Sequence, residues 1–279
     1  MSTQLELFLI TKSADVAAYA ERNGVDVIFL DLEILGKEER QGHKDTVISR
    51  HSWSDVGTVR NAVSTAQLMV RMDPPHANTP DQVRRALDAG ADRLMLPMFN
   101  RAKDIEDVDK ILQGRKMLVP LVETMPSLLR LEEYAGMDCI RRVHLGLNDL
   151  HLQCGLTFLF EGLTGGLADL FSQKSQRVKV PFGIGGVARL GTGGLKAERI
   201  LGEHARLGST AMILSRAFHG GADDLSAFKL LNVQAETDRV RKCYADHLER
   251  TPLQVEADRL ETQAIVARLI REQEEGASK

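Results

Sequence analysis

Two apolar runs of the chain end in an acid: 121-LVETMPSL-128 carries Glu123 and 143-VHLGLNDLHL-152 carries Asp149. Other polar residues close neighbouring apolar runs, namely Asp31 and Glu33, Arg71 and Asp73, and Asn148. If Glu123 and Asp149 finish adjacent strands, about 4.8 Å apart, they converge on one small volume. Carboxylates that close repel each other, and one takes up a proton unless a cation lies between them. Oxygen ligands with no nearby cysteine or clustered histidine favour a hard divalent ion such as Mg²⁺ or Mn²⁺, which keeps positions open for substrate and water. The competing reading is that each acid caps the helix after it, as 123-ETMPS and 148-NDLHL would allow. The pairing of acids on successive runs, with Arg71 facing the same end, favours the metal. Arg71 itself interrupts the apolar 68-LMVRMDPP-75. A buried guanidinium needs an anion, supplied either by a ligand or by Asp31 or Glu33 on the next strand.

The elements that must position these groups are legible as a repeat. Eight apolar runs recur, 5–10, 25–33, 68–72, 93–98, 117–123, 143–147, 180–184 and 210–214, with helical patterns between them. Near-continuous hydrophobicity in each run means both faces are covered, as in a parallel sheet. Between the runs, 13-SADVAAYAERNG-24 opens on a serine cap and closes on glycine, and 79-TPDQVRRALDAGA-91 has Thr, Pro and Gly in the corresponding places. The expected fold is an α/β (β/α)8 TIM barrel over residues 1–221, preferred to a doubly wound open sheet. Residues 222–279 follow as charged helices broken near Pro252, with an apolar stripe through Leu260, Ile265, Val266, Leu269 and Ile270. That stripe needs a covering surface, and a neighbouring subunit of a homo-oligomer is the expectation.

Composition excludes several classes of partner. In 279 residues, 36 Lys and Arg are offset by 39 Asp and Glu, so no basic footprint for nucleic acid or an anionic membrane is present. The apolar runs are strand-sized, which together with the N-terminal pattern gives the expectation of a cytoplasmic protein with no membrane span. Three cysteines, Cys139, Cys154 and Cys243, lack CxxC spacing and read as reduced structural thiols.

At these residues the sequence resembles the HpcH/HpaI aldolase and citrate lyase β-subunit family of metal-dependent carbon–carbon lyases. The stretches that carry the resemblance are 26-DVIFLDLE-33, 68-LMVRMDPP-75, 90-GADRLMLPM-98, 121-LVETMPSL-128 and 145-LGLNDLHL-152, with 183-GIGG-186 less specific. The resemblance implies that Glu123 and Asp149 ligate the divalent metal, that Arg71 polarises a substrate carbonyl, and that Gly90, Ala91 and Pro97 shape the pocket. Asn148, beside Asp149, joins the expected substrate contacts. The implied substrate is a small 2-oxo acid of the pyruvate or oxaloacetate type, with an aldehyde as second partner. The aldolase branch of that family places a histidine soon after the second strand, whereas this chain reads 31-DLEILGKEERQGHKDT-46. Candidates for the general base are therefore Glu33, His51, His43 and a metal-bound water.

Other features carry less chemistry. The glycine-rich 183-GIGGVARLGTGG-194 is neither a Walker A loop nor a GxGxxG turn and reads equally as a tight turn or a ligand cradle. His204 reads as a packing or capping residue, and Arg216 and His219 as lesser candidates at the mouth. The expectation is thus a class II-type, metal-dependent aldolase that makes or cleaves a carbon–carbon bond through a pyruvate-type enolate. The alternatives are a CoA-thioester lyase of the citrate lyase type, disfavoured by the lack of a basic patch for CoA phosphates, and a non-catalytic barrel used for assembly or ligand sensing.

Overall fold

The computed structural model describes residues 5–36, 51–222 and 224–277. Nine parallel strand segments form one sheet: β1 Glu6–Ile10, β2 Val27–Asp31, β3 Gln67–Arg71, β4 Arg93–Leu96, β5 Leu118–Val122, β6 Val143–Leu145, β7 Phe182–Ile184, β8 Gly186–Val187 and β9 Ala211–Leu214. The spatial order is β7-β6-β5-β4-β3-β2-β1-β9-β8. Only Gly185 separates β7 from β8. Its N–H donates to Leu145 O (2.9 Å) and its carbonyl accepts from Ile213 N (3.2 Å), so the stretch 182–187 lies between β6 and β9 and brings the ring round on itself. The eight expected apolar runs each hold a strand, the seventh run continuing through Gly185 into β8, and the fold is the expected parallel α/β barrel.

Both faces of the strands are apolar for different reasons. Inward-facing Phe8, Val27, Phe29, Met69, Met95, Val119, Leu121 and Ala211 form a cluster of their own inside the barrel. The alternate residues, such as Leu7, Ile28, Leu68 and Leu94, pack outward against the helices. The end of the barrel where the strands begin is plugged by charge. Arg93 holds Glu6 through two bonds of 2.9 and 3.0 Å, and Arg142 reaches the same carboxylate at 3.0 Å. Both guanidiniums also lie over the Phe8 ring, at 5.7 and 5.9 Å from its centroid. A cavity inside the barrel can therefore open only at the opposite end, where the strands finish.

Local signals account for the helices. Ser13 caps the helix Ala14–Arg22 as expected, its hydroxyl accepting from Val16 N. In the helix Thr79–Asp88 the N-cap position falls on Asn78, whose side chain makes no capping bond, and the Thr79 hydroxyl accepts from His76 N.

The outer ring continues past the expected boundary at 221. The helix Val233–Leu248 packs on the helix Ala197–Leu207 and is tied to the first half of the barrel. Thr237 bonds Asn23 O, Arg241 bonds Gly24 O and Asp26, and Tyr244 bonds Ser209 O. It thus fills the place of an eighth barrel helix. The helix Pro252–Ala277 then lies across the helix Ala197–Leu207, fixed by Arg199 and Arg250 on Asp258 and by Gln263 on Thr164 O. Of the expected stripe, Val266 is buried, and Ile265, Leu269 and Ile270 pack on the chain's own core, while Leu260 remains 52% exposed. Much of the surface expected of a neighbouring subunit is supplied by the barrel itself. No described helix is long and apolar enough to cross a membrane.

Candidate active site

Strand register explains how the polar residues meet. β2 and β3 place Asp31 directly opposite Arg71, so in parallel strands the two side chains share the inner face. Arg71 Nε and Nη2 donate to the two oxygens of Asp31 at 2.8 and 2.7 Å, a bidentate pair. Glu33 stands 3.4 Å from Arg71 Nε. Burial works to lower the Arg71 pKa, but the charges of Asp31, Glu33 and Glu123 outweigh it and hold the guanidinium above its ordinary value. The protein partner anticipated for Arg71 is therefore present, and Arg71 still lines the cavity described below.

β5 and β6 pair Leu121 with His144 and Val122 with Leu145, which sets Glu123 beside Gly146. Glu123 is buried and does not cap the helix that follows. That cap is Thr124, which accepts from Ser127 N (3.1 Å). Glu123 Oε1 accepts instead from Met98 N (3.0 Å), just past β4, where Met98 holds a left-handed φ of 50°. Such backbone strain in a non-glycine residue persists where its surroundings enforce it. On the other side, a side chain at Gly146 would put its Cβ 2.7 Å from Glu123 Oε2 and 2.8 Å from Glu123 Cβ. Asp149 is buried in the first turn of the helix Leu147–Gln153, whose dipole favours an acid there. Burial first, and then the charges of Asp149 and Glu33, push the Glu123 carboxyl well above the usual carboxylate range, with Arg71 opposing.

Asp31, Arg71, Glu123, Gly146, Asn148 and Asp149 line one side of a cavity of about 580 Å³ at the end of the barrel where the strands finish. His144 lies at its floor, fully buried beside Phe8, and among the described residues neither ring nitrogen has a hydrogen-bond partner. Burial and the nearby positive charge of Arg142 drop its pKa to about 3, so the ring is neutral. Gly183 makes room for it, since a Cβ there would overlap His144 Nδ1 and lie 2.8 Å from Ala211 O. The first part of the glycine-rich stretch thus belongs to β7 and β8, interrupted only at Gly185, while Gly193 and Gly194 reach the cavity wall from the turn beyond.

Other expected residues fall elsewhere. Gly90 and Ala91 are corrected: they form the turn before β4, where Gly90 packs against Arg60, so they lie at the barrel end remote from Glu123. Pro97 is buried between β4 and Met98, on the correct end but not on the cavity wall. Asp73 is occupied with structure, accepting from Ile34 N and Leu35 N at 2.7 and 2.9 Å and from Gln82. His51 Nδ1 accepts from Asp31 N at 3.0 Å, so its neutral form carries the proton on Nε2. Neither His51 nor Glu33 is on the cavity wall, and His43 lies outside the described residues. His204 bonds Ser209 and is structural. Arg216 lines the cavity rim, whereas His219 stacks on Phe228 away from it. Sequence reasoning missed Phe158, Leu159 and Phe160, which face the cavity from the segment after Gln153. Three bulky apolar residues outside any helical or strand period were the available signal.

The donor set fits a hard divalent cation. Glu123 and Asp149 offer oxygen only, and after burial it is the negative charge of Asp149 and Glu33, which a cation would offset, that lifts the Glu123 carboxyl. No described group of three or more His, Cys, Asp or Glu forms a full metal cage. Two carboxylates leave positions for a chelating substrate and for water.

A parallel barrel with buried acids and an arginine where its strands end has the layout of barrel enzymes, whose chemistry is set at that mouth. The family described as HpcH/HpaI aldolase/citrate lyase matches residues 4–162, and the chain belongs to it. Membership supports a lyase or aldolase function. Among solved structures, an HpcH/HpaI aldolase/citrate lyase family protein from Burkholderia cenocepacia J2315 aligns at 16% identity and a TM-score of 0.61, over 86% of this chain and 95% of that one. An HpcH/HpaI aldolase from Desulfitobacterium hafniense DCB-2 aligns at 13% identity and 0.59, over 84% and 92%. At such identities the likeness speaks for the fold. No curated protein matches the chain.

Proposed function

We propose that this protein is a divalent-metal-dependent lyase of the aldolase type, which cleaves or forms a carbon–carbon bond at the carbon next to the keto group of a 2-oxo acid. The observation that carries the reading is the placement of Glu123: buried, aimed by Met98 N–H, and beside Asp149 and Glu33 with Arg71 on the same side of the cavity. Glu123 and Asp149 would hold Mg²⁺ or Mn²⁺, and the cation when bound supplies Lewis-acid polarisation of substrate oxygens. Arg71 is oriented by Asp31 through Nε and Nη2, which leaves Nη1 outside that pair. A guanidinium fixed before reaction stabilises negative charge developing on the keto oxygen without reorganising. The apolar barrel interior below, closed by the Glu6 plug, excludes water from the developing charge. Glu33 and His51 stand behind Arg71 and Asp31, so a cavity water is the proposed proton acceptor and relay. Arg71 and Arg216 are the cationic members of the described wall, which gives CoA phosphates little to bind.

The test is exchange of the pyruvate methyl protons in D₂O, followed by NMR with Mg²⁺ or Mn²⁺ present. The wild type should exchange them, and chelation should stop it. Glu123→Gln keeps an acceptor for Met98 N–H but removes the charge, so it should bind no Mn²⁺ and exchange nothing. Exchange that survives chelation, or stoichiometric Mn²⁺ on Glu123→Gln, would overturn the reading.

A further inference from the structure

The cavity is far larger than a pyruvate fragment needs, and its two sides differ in chemistry. At about 580 Å³ it falls among pockets that hold drug-sized ligands. The polar groups that would hold the 2-oxo acid, Arg71, Glu123, Asn148 and Asp149, occupy one side. The other side is formed by Phe158, Leu159, Phe160, Leu147, Leu195 and Ile213, and the glycines at 185, 186, 193 and 194 leave it open. Arg216, exposed at the rim, is the one charged residue among the described wall residues there.

The aromatic part of this wall is built and not incidental. Phe158 and Phe160 pack edge to face with ring centroids 5.4 Å apart. Phe158 N–H donates to Glu161 Oε1 (2.7 Å) and Glu161 N–H returns to Phe158 O (2.9 Å), pinning the segment at the start of the helix Glu161–Thr164. Both rings are half-buried, held against a cavity and not fully packed into the core. An apolar concave wall of this kind gains most from an apolar ligand group and penalises a charged one, which would lose its hydration without a partner.

Building on the lyase reading above, we infer that the second fragment of the substrate is neutral and apolar. The substrate class is a 4-hydroxy-2-oxo acid that carries an aromatic or branched aliphatic group on C4. In cleavage the C4 hydroxyl loses its proton, the C3–C4 bond breaks, and its electron pair passes to the enolate of the 2-oxo acid. C4 leaves as the carbonyl carbon of an apolar aldehyde, and a proton returned to C3 gives pyruvate. Nothing is oxidised or reduced.

The test runs the full chain in the synthetic direction with Mg²⁺, pyruvate and one aldehyde at a time. The probes are benzaldehyde and 3-methylbutanal against succinate semialdehyde and glyceraldehyde 3-phosphate. Differences of a few apolar groups in such a pocket discriminate by about 10- to 200-fold. The apolar aldehydes should therefore lead in kcat/KM by about 10- to 100-fold. Phe158→Ala and Phe160→Ala should each lower the apolar-to-charged ratio about tenfold, and Phe160→Leu should keep part of it. A preference for the carboxylated or phosphorylated aldehyde, with wild-type pyruvate exchange intact, would sink this inference and leave the lyase reading standing. A ratio indifferent to both alanine variants, in protein that retains its circular dichroism, would also overturn it. Absence of pyruvate exchange in the wild type would remove both readings together.

Discussion

Replacing Gly146 with alanine isolates a single contact on which the acidic site depends. The glycine has φ −90° and ψ 91°, a conformation open to alanine, so the substitution adds no backbone strain. What it adds is one carbon, 2.7 Å from Glu123 Oε2, 2.8 Å from Glu123 Cβ and 3.2 Å from Leu121 Cδ1. Non-bonded contacts relax toward about 3.5 Å, so the Glu123 side chain or the β5–β6 spacing must give by roughly 0.7 Å. Overpacking a core in this way costs about 1–3 kcal/mol. Loss of glycine entropy from the unfolded chain offsets about 0.4–1 kcal/mol of it. The net expectation is a destabilisation of roughly 1–2 kcal/mol in urea unfolding without metal. A shift approaching 1 Å in a ligand or reacting group costs on the order of 10²-fold, so Mn²⁺ affinity and turnover should fall by about 10- to 100-fold. The control is a double-mutant cycle. In a Glu123→Gly background both close atoms are absent, and Gly146→Ala should then cost little, giving a coupling of about 1 kcal/mol or more. Wild-type stability and Mn²⁺ affinity for Gly146→Ala would refute the packing argument, and strict additivity in the cycle would refute its assignment to Glu123.

Three further outcomes follow from the geometry. Arg71→Ala would strand the buried Asp31 and Glu33 and confuse folding with catalysis, so Arg71→Lys is the informative change. It keeps the charge but loses the bidentate fork, and turnover should drop by about 10²–10³ with Mn²⁺ affinity little changed in a titration; unchanged turnover would make Arg71 a purely structural partner. His144 and His204 both have pKa values near 3 in the folded chain, first through burial, against about 6.5 unfolded. Below pH 6.5 the unfolded chain binds the extra protons, so stability should fall by up to about 1.4 kcal/mol per pH unit for each until about pH 3. The raised Glu123 carboxyl acts in the opposite sense, so urea unfolding at pH 7.5 and 5.5 is best compared in Glu123→Gln; equal stability at the two values would contradict the burial of both rings. Truncation after Gly221 removes the buried Phe228, Val233, Val240 and Tyr244, each contributing roughly 1.5–3 kcal/mol, which together rivals the whole stability of a domain. That fragment should aggregate in light scattering, and a monodisperse soluble product would show that the barrel closes without its last helices.

Several residues mark where local reading ended. The eight strands were legible because both faces of each are buried, and residue-by-residue hydrophobicity reports that directly. Glu123 and Asp149 were legible because an acid that ends a buried run needs a reason. Gly90 and Ala91 were assigned to the pocket although residues that precede a strand sit at the end of the barrel where strands begin; this was readable from order alone. The tail was read as reaching for a neighbour because helical spacing shows that a face must be covered and says nothing about what covers it. Arg241 and Thr237 find the turn after the first helix of the same chain, more than 200 positions back, and Tyr244 finds Ser209 nearby.

The sequence by itself determined the barrel class, the strand ends and the kind of chemistry available there, since burial, turn formation and charge are properties of short segments. Tertiary structure decided which side chains oppose each other. Asp31 faces Arg71 and Gly146 yields to Glu123 because closing the ring fixes one register between strands far apart in the chain, and in a parallel sheet a slip of one residue would turn every inner side chain outward. The apolar side of the cavity was likewise decided only there, since the residues from Phe158 to Phe160 become part of a cavity wall only when the ring closes through β7 and β9.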